Sequence, residues 1–167
     1  MKRLLLLIAL FLSVCLCTYA QDFEVPQNYI LKEKGDYAKY QADVLKAIDW
    51  LQKTSWAGQA EKRKQVNGFL IEWMTGSPTV SIEIGSGVTK LADKNNGLLI
   101  VYMAGYTKYV LENASDSDKN KPKIAGVKAV LEKYKSDSSL KKDKALDKLV
   151  QLEKDGKLED WVLASFS

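Results

Sequence analysis

The stretch from Asn95 to Asn113, with the sequence NNGLLIVYMAGYTKYVLEN, constrains the fold more than any other part of the chain. Its residues from Leu98 to Tyr106 are almost all apolar or aromatic. A helix that is apolar on every face is buried on every face. The run is shorter than the roughly 20 apolar residues that a membrane span requires. It therefore predicts a central buried helix, at about residues 97–113, inside a helical domain.

Apolar residues at three- and four-residue spacing predict four further helices. These span about Tyr37–Lys53, Gln59–Met74, Pro122–Lys135 and Lys141–Asp155. Residues 79–84 instead alternate between polar and apolar side chains, which is typical of a short extended segment. We therefore expect an all-α fold, with a five-helix bundle around the central helix and one extended segment. A short stack of helical hairpins, similar to that of helical-repeat proteins, is the alternative.

The N-terminus has the pattern of a secretory signal peptide. Lys2 and Arg3 precede an apolar run from Leu4 to Leu16, and Thr18-Tyr19-Ala20 resembles a cleavage site. We expect residues 1–20 to be removed, which leaves one helical domain at residues 21–167. The mature protein is then secreted or periplasmic and has no transmembrane segment. A lipid anchor through Cys15 or Cys17 is disfavoured, because bulky residues precede both cysteines.

Signal removal leaves a mature chain without cysteine, and the whole sequence contains no histidine. Zinc, copper and haem sites usually depend on these residues, as do catalytic triads and thiol nucleophiles. We therefore expect no metal site and no cofactor. The mature chain has 23 basic and 21 acidic residues, a net charge of +2 that argues against nucleic-acid binding. Without histidine, the stability should also be nearly constant between about pH 5 and 8.

Glu72 and Glu83 are the carboxylate pair that would suit a glycosidase. Such an enzyme places two carboxylates on either side of a glycosidic bond, next to a surface on which a sugar ring can stack. Glu72 is followed by Trp73, which would offer that surface. The alternative is that both glutamates are ordinary solvent-facing residues, because a pair of carboxylates is a pattern of low specificity.

The surplus of aromatic residues gives two further hypotheses. A cavity between helices would favour a small apolar or aromatic ligand. The residues that could line it are Trp73, Tyr102, Tyr106 and Tyr109. An exposed apolar surface or strand edge would instead favour a protein partner. The residues that could form it are Trp50, Trp56, Val80 and Ile82. The opposing interpretation is that these side chains simply pack in the core.

The sequence thus favours a secreted or periplasmic binding or interaction module without catalytic activity. Its partner is either a protein or a small apolar or aromatic ligand, and its oligomeric state is open. Two alternatives are a carboxylate-based glycoside hydrolase that acts on envelope or extracellular polysaccharide, and a structural envelope protein.

Overall fold

The computed structural model describes residues 23–166. The predicted signal peptide at residues 1–20 lies outside this part of the chain. The described residues form eight helices and no strand, which confirms the all-α prediction. The helices are α1 (Lys34–Lys39), α2 (Gln41–Lys53), α3 (Ala60–Gly76), α4 (Ser86–Lys90), α5 (Leu98–Glu112), α6 (Asn120–Ser136), α7 (Lys144–Lys154) and α8 (Leu158–Ser165). None of the eight is long and apolar enough to cross a membrane.

The five longest helices correspond to the five predicted from periodicity. One difference concerns the first, which is interrupted at Tyr40 and divides into α1 and α2. The backbone of Tyr40 has φ −97° and ψ 5°, outside the range of a regular helix. Its ring packs edge-on against Tyr29, with 6.2 Å between the ring centres. Tyr40 therefore connects the start of α2 to the segment that precedes α1.

Helix α5 is the central element of the bundle. It packs mainly against α6 and also contacts α2, α3 and α4. Leu98, Val101 and Tyr102 are fully or almost fully buried on it. A side chain at Gly105 would meet the Cβ of Ala129 at 2.5 Å, so the α5 and α6 backbones approach closely at this glycine. The helix has neighbours on several faces, as its apolar sequence predicts.

The segment at residues 79–84 is an extended connection without a strand partner in the described part of the chain. It packs onto α5, because Val80 is buried and the Tyr106 hydroxyl donates to the Ser81 carbonyl at 2.9 Å. The period of two in its sequence therefore reflects one face that lies against the core at Val80 and Ile82, whereas Ile84 is exposed.

An N-terminal arm, residues 23–33, lies across α3. The rings of Phe23 and Tyr29 pack against Phe69 of α3, with centre-to-centre distances of 6.5 and 5.0 Å. The Glu24 carboxylate forms an ion pair with Lys62 of α3 at 2.7 Å. These contacts hold the beginning of the described chain beside α2, where it forms one wall of a groove.

Candidate functional site

A groove of about 510 Å³ lies between the N-terminal arm and α2. One wall comes from Phe23 and Glu24 of the arm. The other comes from one face of α2, on which side chains three and four positions apart lie in a row. This row and the loop after it contribute Asp43, Lys46, Asp49, Trp50, Lys53, Thr54, Ser55 and Gln59. The groove therefore combines residues that are far apart in the sequence.

The base of the groove is aromatic. Trp50 is 5% exposed and Phe23 is 7% exposed, so both side chains are almost completely buried. The ammonium of Lys62 lies 5.8 Å from the centre of the Trp50 ring. Trp50 is therefore covered rather than exposed, and its part in an interaction surface stays a prediction. The indole lies outside the stripe of α2 that faces the bundle interior. The arm and Lys62 cover it instead.

The rim of the groove is charged, and its carboxylates have lysine partners. The ion pairs are Glu24–Lys62 at 2.7 Å, Asp49–Lys108 at 2.6 Å and Asp43–Lys46 at 3.7 Å. The hydrogen bond that the Lys108 ammonium donates to Asp49 raises the pKa of Lys108. Lys53 is exposed and has no ion pair or side-chain hydrogen bond among residues 23–166. Among residues 23–166, Lys53 is thus a rim cation without a carboxylate partner.

A buried polar cluster lies below the Thr54–Ser55 end of the groove. Lys133 of α6 is 1% exposed, and its ammonium lies 3.2 Å from the Asp137 carboxylate. It also donates to the carbonyls of Gln52 and Thr54. Burial lowers the pKa of Lys133, and Asp137 partly opposes this shift. The cluster therefore fastens the C-terminal end of α2 to α6.

Asp137 and Arg63 complete this cluster. Burial raises the pKa of Asp137, but hydrogen bonds from Ser139, the Trp56 backbone and Lys133 outweigh it and bring the pKa below its usual value. Arg63 is 7% exposed and donates to the carbonyls of Ser55, Trp56 and Gly58. Burial lowers the pKa of its guanidinium. The loop after α2 is consequently held from both sides.

The sequence interpretation missed this cluster. Arg63 lies in a run of charged residues, a pattern that favours the solvated face of a helix. The structure buries it, since three loop carbonyls replace the water around its guanidinium. The one available signal was that Arg63 is the only arginine in residues 21–167. Nothing in the sequence distinguishes Lys133 from the many exposed lysines.

Of the four residues predicted to line a ligand cavity, Tyr102 and Tyr106 pack against each other, with 6.4 Å between their ring centres. Trp73 is fully buried and donates its indole N–H to the Tyr37 carbonyl at 3.0 Å. Tyr102 is also fully buried, and its hydroxyl has no hydrogen-bond partner among the described residues. Tyr106 and Tyr109 are half-buried and donate to the Ser81 carbonyl and to Asp116. None of the four lines the groove at Trp50.

The other residues predicted for an interaction surface are largely covered. Val80 is 6% exposed and Ile82 is half-buried, so neither presents a free apolar edge. Trp56 is half-buried, with the Arg63 guanidinium 4.7 Å from its ring centre and Gly97 against its edge. As with Trp50, contacts with other parts of the chain largely cover these side chains.

The two candidate catalytic glutamates lie in different environments. Glu72 is exposed and accepts a hydrogen bond from the Tyr29 hydroxyl. Burial, together with Glu72, raises the pKa of Tyr29 to about 12. Glu83 is exposed beside Tyr106, where burial and then the Glu83 charge raise the pKa of the tyrosine hydroxyl. Each glutamate therefore lies beside a different tyrosine. The hydrolase hypothesis stays a prediction.

Residues 23–166 contain no group of three or more histidine, cysteine, aspartate or glutamate side chains that could hold a metal ion. Comparisons of the chain with protein-family models, with curated proteins and with solved structures find no match. The groove at Trp50 is therefore the feature on which a functional assignment can be built.

Proposed function

We propose that the mature chain is a secreted or periplasmic binding module without catalytic activity, and that its ligand occupies the groove at Trp50. The observation that supports this proposal is the combination of volume and lining. Small-molecule sites typically enclose about 300–1,000 Å³ and combine apolar walls with a few polar groups. The groove has about 510 Å³, two aromatic rings at its base and a charged rim.

The groove also has firm walls, which favours binding because little conformational freedom is lost when a ligand enters. The arm is fixed by the contacts of Phe23 and Tyr29 with Phe69. The opposite end is fixed by Lys133 and Arg63, which bind carbonyls of the loop after α2. The signal-type N-terminus supports a location outside the cytoplasm.

Native mass spectrometry of the mature protein, residues 21–167, tests this proposal when the protein is purified from the extracytoplasmic fraction of its own host. We expect a monomer with the additional mass of one small molecule. The Lys46→Trp variant, which places a large ring on the groove wall, should lose that mass. The Lys148→Trp variant on α7 is the matched control and should retain it, because Lys148 is exposed and does not line the groove.

Two results would contradict the proposal. A bound mass that persists in Lys46→Trp would place the ligand elsewhere in the protein. A stable dimer or larger complex without any small molecule would favour a protein partner, which is the other form of the binding-module hypothesis.

A further inference from the structure

We infer that the ligand of the groove is a small amphipathic anion, with a ring-bearing apolar body on Trp50 and Phe23 and one anionic group beside Lys53. This inference rests on the proposed binding function and specifies its ligand class. Aromatic rings contact flat apolar bodies favourably by offset or edge-to-face packing. The charge of the ligand follows from the ionic groups around the groove.

The carboxylates of the groove wall are already neutralised. Glu24, Asp43 and Asp49 each form an ion pair with a lysine, at 2.7, 3.7 and 2.6 Å. A cationic ligand would have to displace one of these lysines. Lys53 is different, because its ammonium is exposed and has no ionic partner among residues 23–166. An anionic ligand gains an ion pair at Lys53 without breaking an existing one.

The end of α2 would ordinarily oppose an anion at this position. Unpaired carbonyls give the C-terminus of a helix a partial negative charge. In this chain the Lys133 ammonium binds the carbonyls of Gln52 and Thr54, and Arg63 binds that of Ser55. The Asp137 carboxylate supplies one negative charge beside the two positive charges of Lys133 and Arg63. The cluster therefore has a net positive charge, and buried charges are screened little by salt.

A hydrogen-bond donor is also present at this end. The Thr54 side chain lines the groove beside Lys53 and makes no hydrogen bond within the described part of the chain. A hydroxyl that donates to an anionic oxygen forms a stronger hydrogen bond than one that donates to a neutral oxygen. The Lys53–Thr54 end thus offers a cation and a donor next to each other.

Three probes with the same ring and different charges test the inference: 1-naphthaleneacetate, its neutral amide, and 1-naphthylmethylammonium. Each is titrated into ¹⁵N-labelled mature protein, and the indole N–H signals of the tryptophans are followed by NMR. The Trp50→Phe variant identifies the signal of Trp50. We expect each titration to shift this signal. The acid should bind about two- to fivefold more tightly than the amide, the range for one exposed ion pair, and the ammonium most weakly.

Two variants locate the source of the preference. Lys53→Gln should lose most of the preference for the acid over the amide. Lys148→Gln is the control, because Lys148 is an exposed lysine outside the groove, and it should retain the preference.

The possible failures are distinguishable. If wild-type protein binds the amide or the ammonium as tightly as the acid, the inference of an anionic ligand is wrong and the binding function stands. The inference is also wrong, and the binding function stands, if Lys53→Gln keeps the full preference for the acid over the amide. If none of the three probes shifts the Trp50 signal, both the inference and the assignment of the groove as the ligand site are wrong.

Discussion

The ammonium of Lys133 lies 3.2 Å from the carboxylate of Asp137, one helical turn further along the chain, and both side chains are almost completely buried. This pair joins the end of α6 to the loop after α2, because Lys133 binds the Thr54 carbonyl and Asp137 accepts from the Trp56 backbone N–H. The same loop forms one end of the candidate groove. The stability of the fold and the shape of the site therefore depend on the same ion pair.

Replacement of Asp137 by alanine should lower the free energy of unfolding by about 3–5 kcal/mol, since it leaves Lys133 as a buried charge without its partner. Urea denaturation followed by circular dichroism measures this loss. Asp93→Ala is the control. Asp93 is exposed, so the change should stay within about 0.5 kcal/mol. Equal effects of the two substitutions would show that the cluster contributes little to stability.

Two glycines should respond to alanine in opposite directions. At Gly105 a Cβ would lie 2.5 Å from the Ala129 Cβ, so Gly105→Ala should destabilise the protein by about 1–3 kcal/mol through overpacking between α5 and α6. At Gly68, in the middle of α3, a Cβ would meet nothing within 4 Å. Gly68→Ala should therefore stabilise the protein by about 0.5–1 kcal/mol, because alanine favours the helix.

Urea midpoints of both variants measure these effects. Adding Ala129→Gly to Gly105→Ala should restore part of the lost stability, since it removes the contacted methyl group. A Gly105→Ala protein as stable as Gly68→Ala would contradict the close approach of the two helices.

The position of Trp56 can be tested at a pair of helix N-caps. Gly97 precedes α5 and Gly85 precedes α4. A Cβ at Gly97 would overlap the Trp56 ring, whereas one at Gly85 would meet nothing within 4 Å. Gly97→Ala should therefore cost about 1–3 kcal/mol and shift the Trp56 indole signal in NMR spectra. Gly85→Ala loses only the cap preference, at most about 1 kcal/mol, and should leave that signal in place.

Between pH 3 and 8, the pH dependence of stability should be confined to the acid end. The folded-state pKa of Asp137 lies below its unfolded value of about 3.9, so the unfolded chain takes up a proton first as the pH falls. The stabilisation by this carboxylate is complete above about pH 5 and is lost progressively below about pH 4. Asp36 and Asp116, whose pKa values are also lowered, act in the same direction.

Urea midpoints at pH 8, 7, 5 and 3 test this expectation. The values from pH 5 to 8 should agree, and the value at pH 3 should be lower. Asp137→Asn should show a smaller acid loss than the wild-type protein. A marked change between pH 5 and 8 would instead point to Lys133, whose pKa is lowered by burial.

The helices could be predicted from the sequence because their signals are local. The apolar run from Leu98 to Tyr106 and the three- and four-residue spacing elsewhere depend only on neighbours along the chain. The break at Tyr40 was not predictable in this way, since the apolar stripe continues through it. Tyr40 packs against Tyr29 of the arm, and a contact of this kind leaves no periodic signal.

The sequence by itself determined that this chain is all-helical, that α5 is its central helix and that residues 79–84 are extended. Only the tertiary structure decided where a ligand could bind. Phe23 and Trp50 meet in one groove although 26 positions separate them in the sequence. Arg63 and Lys133 support the end of that groove from two other helices. Secondary structure follows from local spacing, whereas a site depends on which distant side chains packing brings together and which charges it leaves unpaired.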